Sequence, residues 1–342
     1  MKNILVTGGA GFIGSNFIRH LLATEDHIRI INLDALTYAG NQDNLLDIQH
    51  DARYTFIHGN ICDQELILFL LQKYSVDTIV HFAAETHVDR SILDPMPFVK
   101  TNIQGTAILL EAAKKIWHDK KILPTEKVCF HHISTDEVYG SLDLEDLPFT
   151  EASPHRPNSP YAASKAASND FVRAYFRTYR IPTITTNCSN NYGPFQHPEK
   201  LIPLVITNAL TGNELPIYGK GDQIRDWLYV ADHCEALFKI LINGIPGETY
   251  NIGGNNQTTN LEVVSTICKI LDEKLPNSKF APHHQLIRFV ADRPGHDYRY
   301  AMDITKIQSQ IDWTPKHSLQ SGLSQTVDWY INNPDWIQKR GF

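Results

Sequence analysis

Two short stretches of this chain pair residue types that move protons. In "YAASK", Tyr161 and Lys165 stand four residues apart, so on a helix they share one face. A phenol has an ordinary pKa of about 10 and is a poor base at neutral pH, but a neighbouring ammonium favours its phenolate. In "ISTDEVYG", Ser134 and Thr135 run into two adjacent acids, Asp136 and Glu137. A hydroxyl from this stretch beside the phenol completes a proton relay for oxidising an alcohol. Two carboxyls side by side serve a further step if their surroundings split their pKa values, one staying protonated to donate and one ionised to remove a proton. Neighbouring side chains diverge on an extended strand, so the strand must end before Asp136 for both acids to reach one substrate. The plainer alternative is that Asp136 and Glu137 only cap the next helix.

A third stretch binds rather than reacts. "VTGGAGFIGS" follows an apolar run and opens a helical pattern. Gly9, Gly11 and Gly14 fit one dinucleotide spacing; Gly8, Gly11 and Gly14 fit another. Glycines let the backbone turn tightly and approach a pyrophosphate, which the free N–H groups of the following helix attract. Asp34 stands 20 residues beyond Gly14 at the end of the second apolar run, the spacing of a carboxylate that accepts from ribose hydroxyls. A carboxylate there repels a 2′-phosphate, and "ALTYAGN" after it has no arginine to hold one. NAD is therefore expected rather than NADP. The alternative for Asp34 taken alone is a helix or turn cap.

These residues need elements to hold them. "KNILVTG", "IRIINLD", "YTFIHG", "VDTIVHFA", "KVCFHHIS" and "IPTITTNCS" read as buried strands. "SNFIRHLLAT", "QELILFLLQKY", "NIQGTAILLEAAKKI" and "SKAASNDFVRAYFRTY" carry apolar residues at helical spacing. The alternation predicts an α/β fold, a doubly wound parallel sheet with helices on both faces. After about Ser189 the texture turns rich in Pro, Gly, His and Arg, which predicts a smaller, loop-rich substrate-binding portion. "ETYNIGG" looks like a strand returning to the main sheet. The expected division is 1–188 with a returning segment near 225–253 for NAD, and 189–224 with 254–342 for substrate.

Composition narrows the partners. At 342 residues and 42% hydrophobic content the chain can bury a large core. A net charge of -7 without a basic run argues against nucleic acid or an anionic membrane as the main partner. The five cysteines are odd in number and form no CxxC pair, which suggests reduced thiols in the cytoplasm. The opening residues show no secretory signal pattern, and no apolar run nears the ~20 residues that cross a bilayer. His131–His132 and His283–His284 lack acids or cysteines at ligand spacing, so no metal is expected.

The glycine turn, the Ser/Thr strand end and the Tyr–Lys pair together resemble the extended short-chain dehydrogenase/reductase family over nearly the whole chain. That family's Ser/Thr, Tyr and Lys match Thr135, Tyr161 and Lys165. The family oxidises a sugar carbon transiently and then diverges. Epimerases need only turn the ketone over, and have no use for an acid pair. Once C4 of a hexose is a ketone, its C5 hydrogen is acidic: one carboxylate can remove it while a protonated carboxyl helps the C6 hydroxyl leave.

The resemblance is closest to the family's nucleotide-sugar 4,6-dehydratases. It is carried by "DALTYAGN", "AAETHVDRSI", "STDEVYG", "NSPYAASKAASND", "CSNNYGPFQHPEKLIP", "IRDWLYVADHCEAL", "YNIGGNNQTTN" and "DRPGHDYRYAMD". It implies Asp136 as the acid at C6, Glu137 as the base at C5 and Tyr161 at the C4 hydroxyl. It implies NAD contacts at Phe12, Ile13, Asp34, Thr37, Asn60, Ile61, Ala83, Ala84, Thr86, Thr101 and Asn191 beside the glycines, Tyr161 and Lys165. Asn60 departs from the family's usual aspartate, with small expected effect. For the nucleotide sugar it implies His87, Asn190, Lys200, Leu201, Pro216, Ile217, Tyr218, Arg225, Asn260, Asp292, Arg293 and His296. Arg225 and Arg293 suit a diphosphate because guanidinium forks give charge and bidentate geometry together; Arg225 in an ion pair with Asp222 or Asp226 is the alternative. The likeness implies a dTDP-linked glucose, a product bound for deoxysugar (rhamnose-type) synthesis, and a homodimer through a four-helix bundle of the helices near 101–116 and 161–179. No residue distinguishes thymine from uracil or cytosine. A UDP- or CDP-sugar dehydratase, a 4-epimerase and a non-catalytic NAD sensor are the rivals; the acid pair disfavours the epimerase, and the Tyr–Lys pair the sensor.

Overall fold

Alternation along the first strand divides the core in two. The computed structural model describes residues 1–292 and 295–341. Ile4 and Val6 of β1 (Asn3–Thr7) face one way and pack with Phe17, Ile18, Leu237 and Ile240, which lie on helices Phe12–Thr24 and Val230–Asn243. Leu5 faces the other way, among Ile67, Leu110, Ile116 and Val172 from the helical segments on the opposite face. Period-2 side chains with both faces buried are the mark of a parallel sheet covered by helices.

The remaining strands are β2 (Arg29–Asp34), β3 (Tyr54–His58), β4 (Thr78–His81), β5 (Cys129–Thr135), β6 (Thr183–Cys188), β7 (Asn190–Tyr192), β8 (Leu215–Tyr218), β9 (Ile224–Tyr229), β10 (Thr249–Ile252), β11 (Gln257–Thr259) and β12 (Ile287–Val290). The main sheet has seven strands in the order β10-β6-β5-β4-β1-β2-β3, all parallel. The six expected strands are all present in it, and "ETYNIGG" returns to it as β10 beside β6. The order reverses between β1 and β4, so the loops after those strands part and open a crevice at the carboxyl edge.

Two small sheets, β11-β9-β7 and β12-β8, are separate from it. A separate core of Ile202, Val205, Ile267, Leu271, Leu323, Val327 and Tyr330 supports them. The segment 225–253 is shared, since β9 belongs to a small sheet while the helix after it and β10 belong to the main layer. Among the described residues, no helix is long and apolar enough to cross a membrane.

Candidate active site

Gly8 opens the turn after β1 at φ +73°, a conformation costly for any side chain, and a Cβ there would meet the Ala83 backbone nitrogen at 2.6 Å. At Gly14 a Cβ would lie 2.4 Å from the Gly8 carbonyl oxygen. At Gly11 the Gly8 carbonyl oxygen, at 3.2 Å, is the one neighbour a Cβ would meet, so this side of the turn faces open space. Gly9 is not part of the cleft lining and packs against Asn32. The spacing that lines the cleft is therefore Gly8, Gly11 and Gly14. Gly11 starts helix Phe12–Thr24 without a side-chain cap, leaving its first N–H groups for an anion.

Asp34 ends β2 and accepts from the backbone N–H of Ala10 at 2.9 Å and of Leu36 at 2.8 Å. These bonds pull its pKa down, but burial outweighs them and raises it. A small-residue cradle, an uncapped helix start and a carboxylate fixed at the second strand end fit a dinucleotide.

The catalytic candidates come from two adjacent elements. Ser159 caps helix Pro160–Tyr179 by accepting from the Ala162 N–H, and Pro160 takes its first position. Tyr161 thus lies in the first turn and Lys165 one turn later, both buried. β5 ends at Thr135, whose hydroxyl accepts from the Glu137 N–H at 3.3 Å and so starts the short turn Asp136–Tyr139. The strand does end before the two acids, as their common task requires.

Burial then separates the acids. Asp136 is 2% exposed, whereas Glu137 is half-buried. Desolvation first, then the charges of Glu137 and Asp226, push the Asp136 carboxyl well above the usual range. Its Oδ1 receives the Thr135 hydroxyl at 3.2 Å, and its Oδ2 is buried without a hydrogen-bond partner. Burial and the neighbouring charges both favour the protonated form of the Asp136 carboxyl, and one of its oxygens is left unused.

The tyrosine differs from the expectation. Burial pushes the Tyr161 phenol well above its usual value, the Glu137, Cys188 and Asp136 charges add to that, and the Thr135 hydroxyl opposes it. Lys165 does not offset the rise: its ammonium donates to the Ile133 carbonyl at 2.8 Å, and desolvation brings its pKa down to about 8.

A single cleft of about 330 Å3 gathers most of the expected residues. It is lined by Gly8, Gly11, Phe12, Ile13, Gly14, Asp34, Thr37, Asn60, Ile61, Ala83, Ala84, Thr86 and Thr101, and equally by Thr135, Asp136, Glu137, Tyr161, Lys165, Asn190, Asn191 and Lys200. Others lie outside this lining. His87 is 3.5 Å from Glu199, which does line it. Leu201 begins the helix after Lys200. Pro216, Ile217 and Tyr218 are on β8, and Tyr218 faces the His296 ring at 6.2 Å. Asp292 accepts from Gln223 at 3.0 Å and pairs with His296 at 2.7 Å, while Asn260 hydrogen-bonds the Gln223 carbonyl at 3.0 Å. Arg293 lies outside the described residues.

Arg225 is buried and makes no ion pair with Asp222 or Asp226. Its guanidinium donates to the carbonyls of Ile224 (2.8 Å), Tyr298 (3.2 Å) and Asp297 (2.8 Å) and lies 4.4 Å from the Tyr300 ring centre. Tyr38, Glu85, Cys188, Gln196, His197 and Glu199 also line the cleft and were not foreseen. Glu199 is adjacent to Lys200 and was findable there; Tyr38 and Glu85 fall within the stretches "DALTYAGN" and "AAETHVDRSI" but were given no role.

Comparison with known proteins bears on this geometry. The family model described as GDP-mannose 4,6 dehydratase matches residues 5–326. The dTDP-glucose 4,6-dehydratase 1 of Escherichia coli K12 is 53% identical, over 98% of this chain and 94% of its own. A crystal structure of the Streptomyces venezuelae dTDP-glucose 4,6-dehydratase with NAD and TYD bound superposes with a TM-score of 0.89 at 46% identity, covering 99% of each chain. The Bacillus anthracis dTDP-glucose 4,6-dehydratase in complex with NAD gives 0.88 at 46% identity, covering 99% of this chain and 100% of that one.

Proposed function

The chain belongs to the dTDP-glucose 4,6-dehydratases of the extended short-chain dehydrogenase/reductase family, and from that footing we propose how its own residues carry the reaction. It is an NAD-dependent hydro-lyase that turns dTDP-glucose into dTDP-4-keto-6-deoxyglucose and water. When bound, NAD supplies a cationic two-electron acceptor, favouring phenolate at Tyr161 and taking the C4–H electrons that later return to C6.

Tyr161 takes the C4 hydroxyl proton, with the Thr135 hydroxyl beside it. Lys165, near its own titration point at about 8, steadies charge at the end of β5. Glu137 then removes the C5 proton, now acidic next to a carbonyl. Asp136 protonates the C6 hydroxyl, the C6–O bond breaks, and water leaves. The electrons return to C6, C5 regains a proton, and no net oxidation remains. The observation that carries this course is Asp136: buried, its carboxyl pKa raised by that burial, and holding an unpaired Oδ2 in the same cleft as Tyr161.

On this reading the 1–188 portion with the returning 225–253 segment serves NAD, and 189–224 with 254–342 serves the nucleotide sugar. The product enters deoxysugar (rhamnose-type) synthesis in the cytoplasm, for which five unbridged thiols speak. A second copy of the chain covers the partly exposed Val99, Phe171 and Tyr179, forming a four-helix bundle with helix Pro160–Tyr179; a monomer by sedimentation would remove the dimer. The decisive experiment incubates the protein with dTDP-glucose and, in parallel, UDP-glucose. A dTDP product lighter by one water, with a C4 ketone and a C6 methyl group by NMR, is expected. A galactose product, or no turnover, would overturn the reading.

A further inference from the structure

The carboxy-terminal segment reaches the glycine turn through a chain of hydrogen bonds. In helix Pro334–Gln338, the Trp336 indole N–H donates to Asn44 Oδ1 at 2.9 Å, and the Arg340 guanidinium donates to the same oxygen at 2.7 Å. Asn44 is buried in the short turn Gln42–Leu45. Its amide Nδ2 donates to the Ala10 carbonyl at 2.9 Å, and the Asn41 N–H donates to that carbonyl at 3.0 Å. Ala10 stands between Gly8 and Gly11, and its own N–H is held by Asp34 at 2.9 Å.

The Ala10 carbonyl and the Gly11 N–H share one rigid peptide plane. Pinning the carbonyl oxygen therefore sets the orientation of the plane that leads into helix Phe12–Thr24, whose open N–H groups face the cleft. The side-chain amide of Asn44 is committed at both ends, and two residues nearly three hundred positions away orient it. Those residues are themselves fixed. The Arg340 guanidinium lies 3.5 Å over the Trp336 ring, and Trp336 packs on Trp329 and Phe195 at 4.9 and 6.2 Å. Phe195 in turn carries the Arg19 guanidinium at 4.1 Å, and Arg19 also donates to the Asn44 carbonyl.

We propose that Asn44, locked by Trp336 and Arg340, is a positioning residue for the dinucleotide, so that seating of the carboxy-terminal segment governs how firmly NAD is retained. This rests on the NAD-dependent reading above. The alternative is that Asn44 merely ties down the chain end, in which case only its acceptor oxygen matters.

The test follows exchange of bound NAD for labelled NAD in the purified holoenzyme, alongside thermal unfolding. Asn44→Asp keeps an acceptor for Trp336 and Arg340 but sets a carboxylate against the Ala10 carbonyl. Exchange should quicken about tenfold or more, with the melting temperature little changed. Trp336→Phe keeps a ring and removes the N–H; exchange should quicken about threefold to tenfold. The two changes act along one chain, so the double variant should exchange more slowly than the product of the single effects predicts. Wild-type exchange in both variants, or multiplicative effects in the double variant, would overturn the proposal. A wild-type protein that holds no NAD would overturn the underlying reading and this inference with it.

Discussion

The side of the cleft formed by the glycine turn and the region beyond it proposed for the nucleotide sugar are built differently. On the cofactor side each functional group stands at the end of a main-sheet strand or in the first turns of a helix: Gly8 after β1, Asp34 ending β2, Thr135 ending β5, Tyr161 opening helix Pro160–Tyr179. The sheet register sets where they stand. On the other side, Arg225 keeps its place by gripping the carbonyls of a loop at Asp297 and Tyr298, and Asp292 by gripping Gln223 and His296. On the first side strand register sets the positions and side chains such as Asp34 and Thr135 add local turn bonds; on the second, side chains themselves join separate segments. A change at Glu137 should therefore alter a reaction step without loosening the fold, while a change at Arg225 should do both.

The sharpest break is Glu137→Gln. Nicotinamide should still be reduced on adding dTDP-glucose, visible as its absorbance, but elimination should slow by about 10²–10⁴-fold with unchanged thermal stability. Normal product formation by this variant would remove Glu137 from its role.

Acid tests the cofactor side as a scaffold. Burial lowers the pKa of His81, His131 and His233 to about 3, and holds His132 well below its usual value. They sit on β4, on β5 and on helix Val230–Asn243, facing Lys165, Thr7, Thr106, Thr186, Ser168 and Asn191. A histidine kept neutral in the fold leaves the unfolded chain to bind the extra proton first. Stability is therefore full above a pH of about 6.5 and falls below it, by up to about 1.4 kcal/mol per pH unit for each histidine. Asp34, Asp136 and Asp226, whose folded pKa values are raised, act in the opposite sense and reduce the slope. Chemical denaturation between pH 7 and 4.5 should show a steep loss; a flat profile would mean that these rings reach solvent.

The smallest expected effect lies on the sugar side. Arg225→Lys removes the fork that spans Ile224, Asp297 and Tyr298. KM for dTDP-glucose should rise about tenfold and unfolding free energy should drop by about 1–3 kcal/mol together. A rise in KM without loss of stability would show that Arg225 is free of its scaffold and erase the contrast drawn between the two sides.

Legibility in the sequence follows the same line. The glycine turn, Asp34, the Tyr161–Lys165 pair and the end of β5 before Asp136 were readable because each is a local pattern in which a few adjacent residues set a turn, a cap or a helix face. The seven strands were readable because apolar runs of strand length alternated with helical spacing. Asn44 was not readable, since partners nearly three hundred residues along the chain place it; Tyr38 and Glu85 lay in stretches that carried the resemblance but nothing local gave them a role. The Lys165 bond to Ile133 was missed because spacing shows that two residues share a face, and not which acceptor the ammonium meets.

By itself, then, the amino-acid order determined a parallel sheet, a dinucleotide turn that prefers NAD, and an acid pair next to a proton relay. Only the tertiary structure decided which acid burial pushes toward its protonated form. Asp136 and Glu137 are neighbours of like chemistry, and their difference arises because packing shuts water from one and leaves the other half in contact with it. Exclusion of solvent depends on elements brought together from the whole chain, so no short stretch could have encoded it alone.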